Sequence, residues 1–213
     1  MAETTVVHLL RHGEVHNPDG ILYGRLPGYH LSEAGNQMAE TVAKSVATRD
    51  IVALFSSPLE RARETAAPLA ATLGLHVRSD ERLIEAGNLL QGRTVGDGLG
   101  ILRSLRNYRY FYNPLRPSWG EAYLEIKKRM REVVEDAREA ARGHEAVLVS
   151  HQLPIWTIRR AAEGRRRLWH DPRRRQCALA SLTTLTFDGD RLVSVAYSEP
   201  AASVPRGPRV PGA

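Results

Sequence analysis

A single cysteine, Cys177, leaves the chain unable to form a disulfide within itself, and such sparing use suits a reducing compartment. No stretch approaches the roughly 20 apolar residues that a membrane-spanning helix needs. The first ten residues include Glu3 and only a short apolar run, so the basic start and apolar centre of a secretory signal are missing. A cytoplasmic location is expected on these grounds. Metal-ligand spacing is also wanting. His8, His12 and His16 stand four apart, which on a helix would share a face, but they fall in a strand-and-loop pattern and no His-Glu-x-x-His occurs. No metal and no other cofactor is expected. Internal repeats are absent as well.

What is present is ordinary in amount and informative in order. With 213 residues, 42% of them hydrophobic and 25% charged, the chain can bury one substantial core. Thirty Lys and Arg against twenty-four Asp and Glu give a net charge of +6, which draws acidic partners such as phosphorylated small molecules or nucleic acids.

Residues 5–10 read as a short buried strand. Ser32 is positioned to cap a helix that carries Ala34, Met38, Val42 and Val46 at every fourth place. A second apolar strand, IVALFSS (51–57), runs into SPLE, where Ser57 and Glu60 match a capping box with Pro58 at the first helical position. Ser118 and Glu121 match another, opening a long helix through Tyr123, Ile126, Met130, Val133 and Ala137. EAVLVS (145–150) is a third strand, with Pro154 near the start of the helix behind it. CALASLTTLTF and RLVSVAYS flank Asp188-Gly189-Asp190 as a hairpin. Strands alternating with helices imply an α/β fold: a mainly parallel sheet, helices on both faces, closed by a C-terminal β-hairpin. One domain over 1–199 is expected, with the proline-rich 200–213 as a loose tail.

Three strand ends carry unusual cargo. The first apolar strand runs out into Arg11-His12-Gly13. The second leads to Arg61, in the first turn of a helix and beside its positive end. The third ends in Ser150-His151. In open α/β sheets the carboxyl edge of the strands is where ligands bind. Two guanidiniums and two imidazoles gathered there suit an anion, and tetrahedral phosphate fits guanidinium forks.

LLRHGE, SSPLERARETA, the acidic LIEAGN and VLVSH, in that order over residues 5 to about 160, resemble the histidine phosphatase superfamily and its phosphoglycerate-mutase-like branch. The resemblance implies that His12 is a nucleophile taking the phosphoryl group as a phosphohistidine. Arg11, Gly13 and Arg61 would surround the phosphate, with His151 a further donor. Glu85 matches the general acid that protonates the departing alcohol and then activates water. Neutral imidazole is the attacking form, and the nearby cations would disfavour its protonation. Asn17 and Gln152 stand near the family's remaining phosphate contacts, each with a departure. Asn17 follows His12 by five positions instead of six, and Gln152 stands where glycine is usual. LIEAGNLLQG also lacks the usual glycine-aromatic pattern after the acid. QLPIWTIR does not match the Gly-Asn-Ser-Leu-Arg common in mutases, which favours a phosphomonoesterase acting on a small phosphorylated metabolite over a mutase-like phosphotransferase.

A third reading is a catalytically silent phospholigand- or RNA-binding protein. GRRRLWHDPRRR (164–175) could present an RNA-facing patch, but a solvated loop is the simpler account, since little there besides Trp169 and His170 could stack on bases. Segment 99–119 mixes Tyr108, Tyr110, Phe111, Tyr112 and Trp119 with Arg103, Arg106, Arg109 and Arg116. It reads equally as a lid over the strand ends or as a helix and loop on the core. Oligomeric state is left open, a homodimer among the options.

Overall fold

Successive residues of a strand point to opposite faces of the sheet, and the buried side chains of this protein sort on that rule. In the computed structural model, which describes residues 3–94, 120–165, 168 and 174–205, Val7 and Leu9 of β1 (Thr4–Arg11) join one core. They meet Ala53 and Phe55 of β2 (Ile51–Ser56) and Ala146 and Leu148 of β4 (Glu145–Ser150). Their intervening neighbours Leu10, Leu54, Val147 and Val149 join a second core on the other face.

Helices α1 (Glu33–Val46) and α2 (Glu60–Leu73) cover the second face with Met38, Val42, Val46, Ala62, Ala66 and Leu69. Helices α3 (Tyr123–Ala140) and α4 (Gln152–Ala162) cover the first with Ile126, Met130, Val133, Ala137, Ile155 and Ile158. This is the expected α/β sandwich. Among the described residues no helix is long and apolar enough to cross a membrane.

The sheet has six strands in the order β3-β2-β4-β1-β5-β6, with β3 at Val77–Ser79, β5 at Leu182–Asp188 and β6 at Arg191–Ser198. The first four are parallel, and the β5–β6 hairpin is added antiparallel to β1. The order decides the site. Strands β2, β4 and β1 are consecutive neighbours, so their carboxyl ends lie side by side at about 4.8 Å spacing. Register aligns them too: Arg11 pairs with Ser150, and Ser56 with Val149. Pairing continues one residue further, His12 N–H donating to Ser150 O (3.1 Å) and Ser57 N–H to Val149 O (2.9 Å).

Several local expectations are corrected. Helix α2 starts at Glu60, capped by Leu59 with no side-chain bond, and of the expected capping box only a long contact is made, Leu59 N–H donating to Ser57 Oγ across 3.4 Å. Ser57 Oγ meets His151, and Glu60 accepts the Gly28 N–H. Helix α3 starts at Tyr123 after Ala122, and Glu121 is committed to arginines; Ser118 lies outside the described residues. The hairpin's first strand begins at Leu182. Residues 177–181 form a turn instead, in which Ser181 bonds the Ala178 carbonyl and Ala180 takes φ 53°. Strand β3 and the 3-10 turn Glu81–Leu83 had no clear sequence signal, the strand being short and wholly exposed. At the C-terminus Ala201 is buried and Val204 packs against the second core, so chain packing extends past residue 199. The segment 99–119 and the end 206–213 lie outside the described residues, as does much of the basic run 164–175.

Candidate active site

Each of the three strand ends delivers its cargo to one place. Arg11, His12, Ser57, Arg61 and His151 are all buried, and the His12 and His151 rings lie 5.1 Å apart between centroids, tilted by 57°. The main chain of His12 is held from both sides. Its N–H goes to β4, and its carbonyl accepts from Ala180 N–H (3.2 Å) in the 177–181 turn. Arg11 uses the same turn, Nη1 donating to Cys177 O (2.8 Å). That turn is a part of the site that strand-like sequence patterning concealed.

The tautomer of His12 follows from its partner. Nδ1 lies 2.8 Å from the Gly13 carbonyl, which can only accept, so the proton sits on Nδ1 and Nε2 carries the free lone pair. Its pKa is held well below the usual 6.5, first by burial and then by Arg61 and Arg11, with the Gly13 carbonyl pulling the other way. Burial thus outweighs the neighbouring cations as the cause. His151 is depressed well below 6.5 for the same leading reason, followed by Arg61, His12 and Arg11. Both imidazoles are neutral near neutral pH.

Gly13 has a role other than a tight turn. Its φ is not in the left-handed region, but a Cβ there would sit 2.6 Å from the Gly35 carbonyl oxygen. Gly35 in turn leaves no room for a Cβ, which would lie 2.0 Å from Glu14 O. The exit of β1 and the first turn of α1 therefore touch backbone to backbone. Gly13 N–H donates to Thr65 Oγ1 (3.0 Å), and Thr65 donates to Arg61 O (2.7 Å), locking the β1 exit to the first turn of α2. Thr65 stands four residues after Arg61, a spacing that marks one helix face.

Arg61 is completely buried, with its guanidinium 4.7 Å above the Tyr23 ring. Nη2 donates to Gly24 O (2.7 Å), whereas Nε and Nη1 have no hydrogen-bond partner; the same holds for Arg11 Nε, His151 Nδ1 and the Tyr23 hydroxyl. Among the described residues neither Arg11 nor Arg61 pairs with a carboxylate. Buried charges without a counter-ion and buried donors without acceptors are costly. Gathered at three adjacent strand ends, they fit an anion with several acceptor oxygens.

The remaining predicted residues fall around this centre. Glu85 is half-buried in the loop after the 3-10 turn; its Oε1 accepts Ala86 N–H (2.7 Å), and its charge acts on Arg61, Tyr23 and Arg175. Gln152 opens α4 and accepts from Arg175 Nη1 (3.2 Å), so it docks a guanidinium of the basic run. Asn17 is not brought against the His12 ring by any of its hydrogen bonds. Both ends of its amide hold Ile21, Nδ2 to the carbonyl (2.9 Å) and Oδ1 to the N–H (3.0 Å), which shapes the loop after β1. His8 faces elsewhere, bonded to Thr184 and Glu145. Cys177 is a buried thiol pushed up to about 11 by desolvation, and so a small protonated side chain. Tyr23, Ser57, Thr65 and Arg175 complete the surroundings; of these Ser57 and Thr65 had a legible signal, since both stand in the SSPLERARETA motif around Arg61.

A sequence model of the histidine phosphatase superfamily, branch 1, matches residues 7–200. The chain belongs to that superfamily. An uncharacterised Mycobacterium tuberculosis protein, Rv0525, is 58% identical over 202 residues, covering 95% of this chain and all of the relative. Phosphoserine phosphatase 1 of Hydrogenobacter thermophilus is 27% identical over 155 residues, covering 69% and 71%. Among solved structures, the mycobacterial glucosyl-3-phosphoglycerate phosphatase Rv2419c superposes with a TM-score of 0.71 at 27% identity, covering 86% of this chain and 90% of that one. The superfamily places this chain among phosphatases and mutases.

Proposed function

We propose that this protein is a metal-independent phosphomonoesterase that works through a covalent phosphohistidine on His12, with a small phosphorylated metabolite as substrate. One observation carries the reading: the Nδ1 tether to Gly13 leaves His12 Nε2 with a free lone pair in a buried cluster with Arg11 and Arg61, which keep unpartnered N–H groups, and with the His151 ring 5.1 Å away. In the first half-reaction Nε2 attacks phosphorus and the P–O bond to the alcohol breaks. Glu85, as the carboxylic acid, gives its proton to the departing oxygen. In the second, Glu85 as carboxylate takes a proton from water, the water oxygen bonds to phosphorus, and the N–P bond breaks to release inorganic phosphate. Arg11 and Arg61 stabilise the charge on the transferring group, the part a metal ion would otherwise play. His151 adds an Nδ1–H if Ser57 donates to its Nε2, across 2.8 Å. The named substrates of the phosphoserine and glucosyl-3-phosphoglycerate phosphatases support a small phosphate ester as the class.

The mutase reading requires a closed pocket that keeps the dephosphorylated intermediate. Gln152 with its Arg175 partner occupies the start of α4, where the mutase-like Gly-Asn-Ser-Leu-Arg is missing. The test is a rapid acid or alkali quench during turnover of a phosphorylated-metabolite panel, with chelator present throughout. Wild-type protein should carry an acid-labile, alkali-stable phosphoryl group, and His12→Ala should carry none and turn nothing over. A phosphoenzyme on another residue type would overturn the mechanism, and activity lost to chelator would overturn its metal independence. Faster conversion of 3-phosphoglycerate to 2-phosphoglycerate, with catalytic 2,3-bisphosphoglycerate, than any phosphate release would favour the mutase. Binding of vanadate without any turnover would favour a silent phospholigand-binding protein.

A further inference from the structure

A general acid is useful only if its proton is aimed at the leaving oxygen, and a misplacement of about 1 Å can cost on the order of 10²-fold in rate. Glu85 stands on a stretch without regular structure, between the 3-10 turn and residue 94. Something other than a helix or sheet ladder has to hold it.

The holding is done through one carboxylate, Glu121. It accepts from Arg25 Nη2 (2.8 Å), from Arg129 Nε and Nη2 (2.8 and 3.1 Å) and from Gly87 N–H (3.3 Å). Each arginine it orients then fastens a carbonyl of the acid's own segment: Arg25 Nε donates to Glu85 O (2.6 Å), and Arg129 Nη1 to Arg82 O (2.5 Å). Glu121 N–H donates to Gly87 O (2.9 Å), and Gly120 lies so close that a Cβ there would be 2.5 Å from that same oxygen. The segment 82–87 is thus tied at Arg82, Glu85 and Gly87, with Glu121 common to all three ties. Arg129 belongs to α3 and Arg25 to the loop after β1, so the ties anchor the acid to two parts of the fold that frame the site.

We propose that Glu121, through Arg25 and Arg129, is a positioning residue for Glu85: it aims the acid at the leaving group and touches no substrate itself. This rests on the role given to Glu85 above. A purely structural staple would lower activity on every substrate alike. A staple that aims the acid matters only where the leaving group needs a proton.

The test compares kcat/KM on p-nitrophenyl phosphate, whose leaving group departs readily as an anion, with kcat/KM on phenyl phosphate, a poorer leaving group. Glu85→Gln should lose about 10²-fold or more on phenyl phosphate and little on the nitrophenyl ester. Glu121→Gln should show the same preference at smaller size, about 10-fold on phenyl phosphate. The double variant should be no slower than Glu85→Gln alone, because aiming an absent acid has no effect. Equal losses on both esters for Glu121→Gln, or losses that multiply in the double variant, would overturn the proposal while leaving Glu85 in place. No ester preference in Glu85→Gln would instead remove the role of Glu85, and this inference with it. If Glu121→Gln does not fold, Arg25→Met, which cuts only the tie to Glu85 O and one contact to Glu121, carries the same comparison with the same opposing outcomes.

Discussion

Arg61 is the residue whose surroundings say most about what the protein is built for. A completely buried guanidinium with two unpartnered nitrogens and no paired carboxylate among the described residues destabilises the ligand-free fold. The same arrangement is ready for a phosphoryl group, since the donors need not be moved or desolvated when the anion arrives. Arg61→Met keeps the bulk and removes the charge. It should lower kcat/KM about 10²-fold or more, and its melting temperature without ligand should equal or exceed that of the wild type. Wild-type protein should gain stability with vanadate, and Arg61→Met should not. A clear fall in the ligand-free melting temperature of the variant would show that the charge is compensated in a way the geometry does not reveal.

At the scale of elements, the contact between the β1 exit and α1 depends on two glycines for space, whereas the end of α2 depends on one for conformation. Gly35 has a neighbouring carbonyl where a Cβ would go, and Gly74 has open space but a left-handed φ of 66° as the cap of α2. Gly35→Ala should force the backbones apart, costing about 2 kcal/mol or more and roughly 5 °C or more in melting temperature. It should also reduce activity, because the backbone it displaces begins at His12. Gly74→Ala pays only for the left-handed backbone, about 1 kcal/mol, and should leave kcat unchanged. Thermal melts and kcat for both variants check this; equal effects on activity would mean that the close approach is not transmitted to the nucleophile.

For the whole molecule, the buried imidazoles set a pH dependence of stability. His12 and His151 are held well below 6.5, and His8 is lowered too, burial being the leading cause in each. Above 6.5 both folded and unfolded chains leave these groups neutral, so the contribution is fully present. As pH falls through 6.5 the unfolded chain takes up protons that the folded chain refuses, and stability falls until the folded values are reached. Each refused proton contributes up to about 1.4 kcal/mol per pH unit. The melting temperature should be flat between pH 8 and 7 and drop steadily from 6.5 to 5, and His12→Asn should flatten part of that slope. A melting temperature that rises on acidification to pH 5 would contradict this account.

Local order along the chain was enough to place most of the strands and helices and to put Arg11, His12, Arg61 and His151 at strand ends, whereas Glu85 was singled out only by the resemblance to the superfamily. Apolar period, turn residues and motif spacing are properties of neighbouring residues, and a strand's carboxyl end lies where its apolar run stops. Only the folded chain decided what those residues meet. The capping pattern at Ser57 survives only as a long bond from Leu59 N–H, and Glu121 is drawn to two arginines, because His151 and those arginines, distant in sequence, compete for the same side chains. The turn at 177–181 looked like strand, since its φ-positive alanine and its bonds to Arg11 and His12 leave no periodic trace. Asn17 likewise turned to its own loop. Strand order was the largest such decision. Placing β4 between β2 and β1 brings three strand ends to one edge, and that order comes from long-range pairing of faces, which no single stretch of sequence encodes.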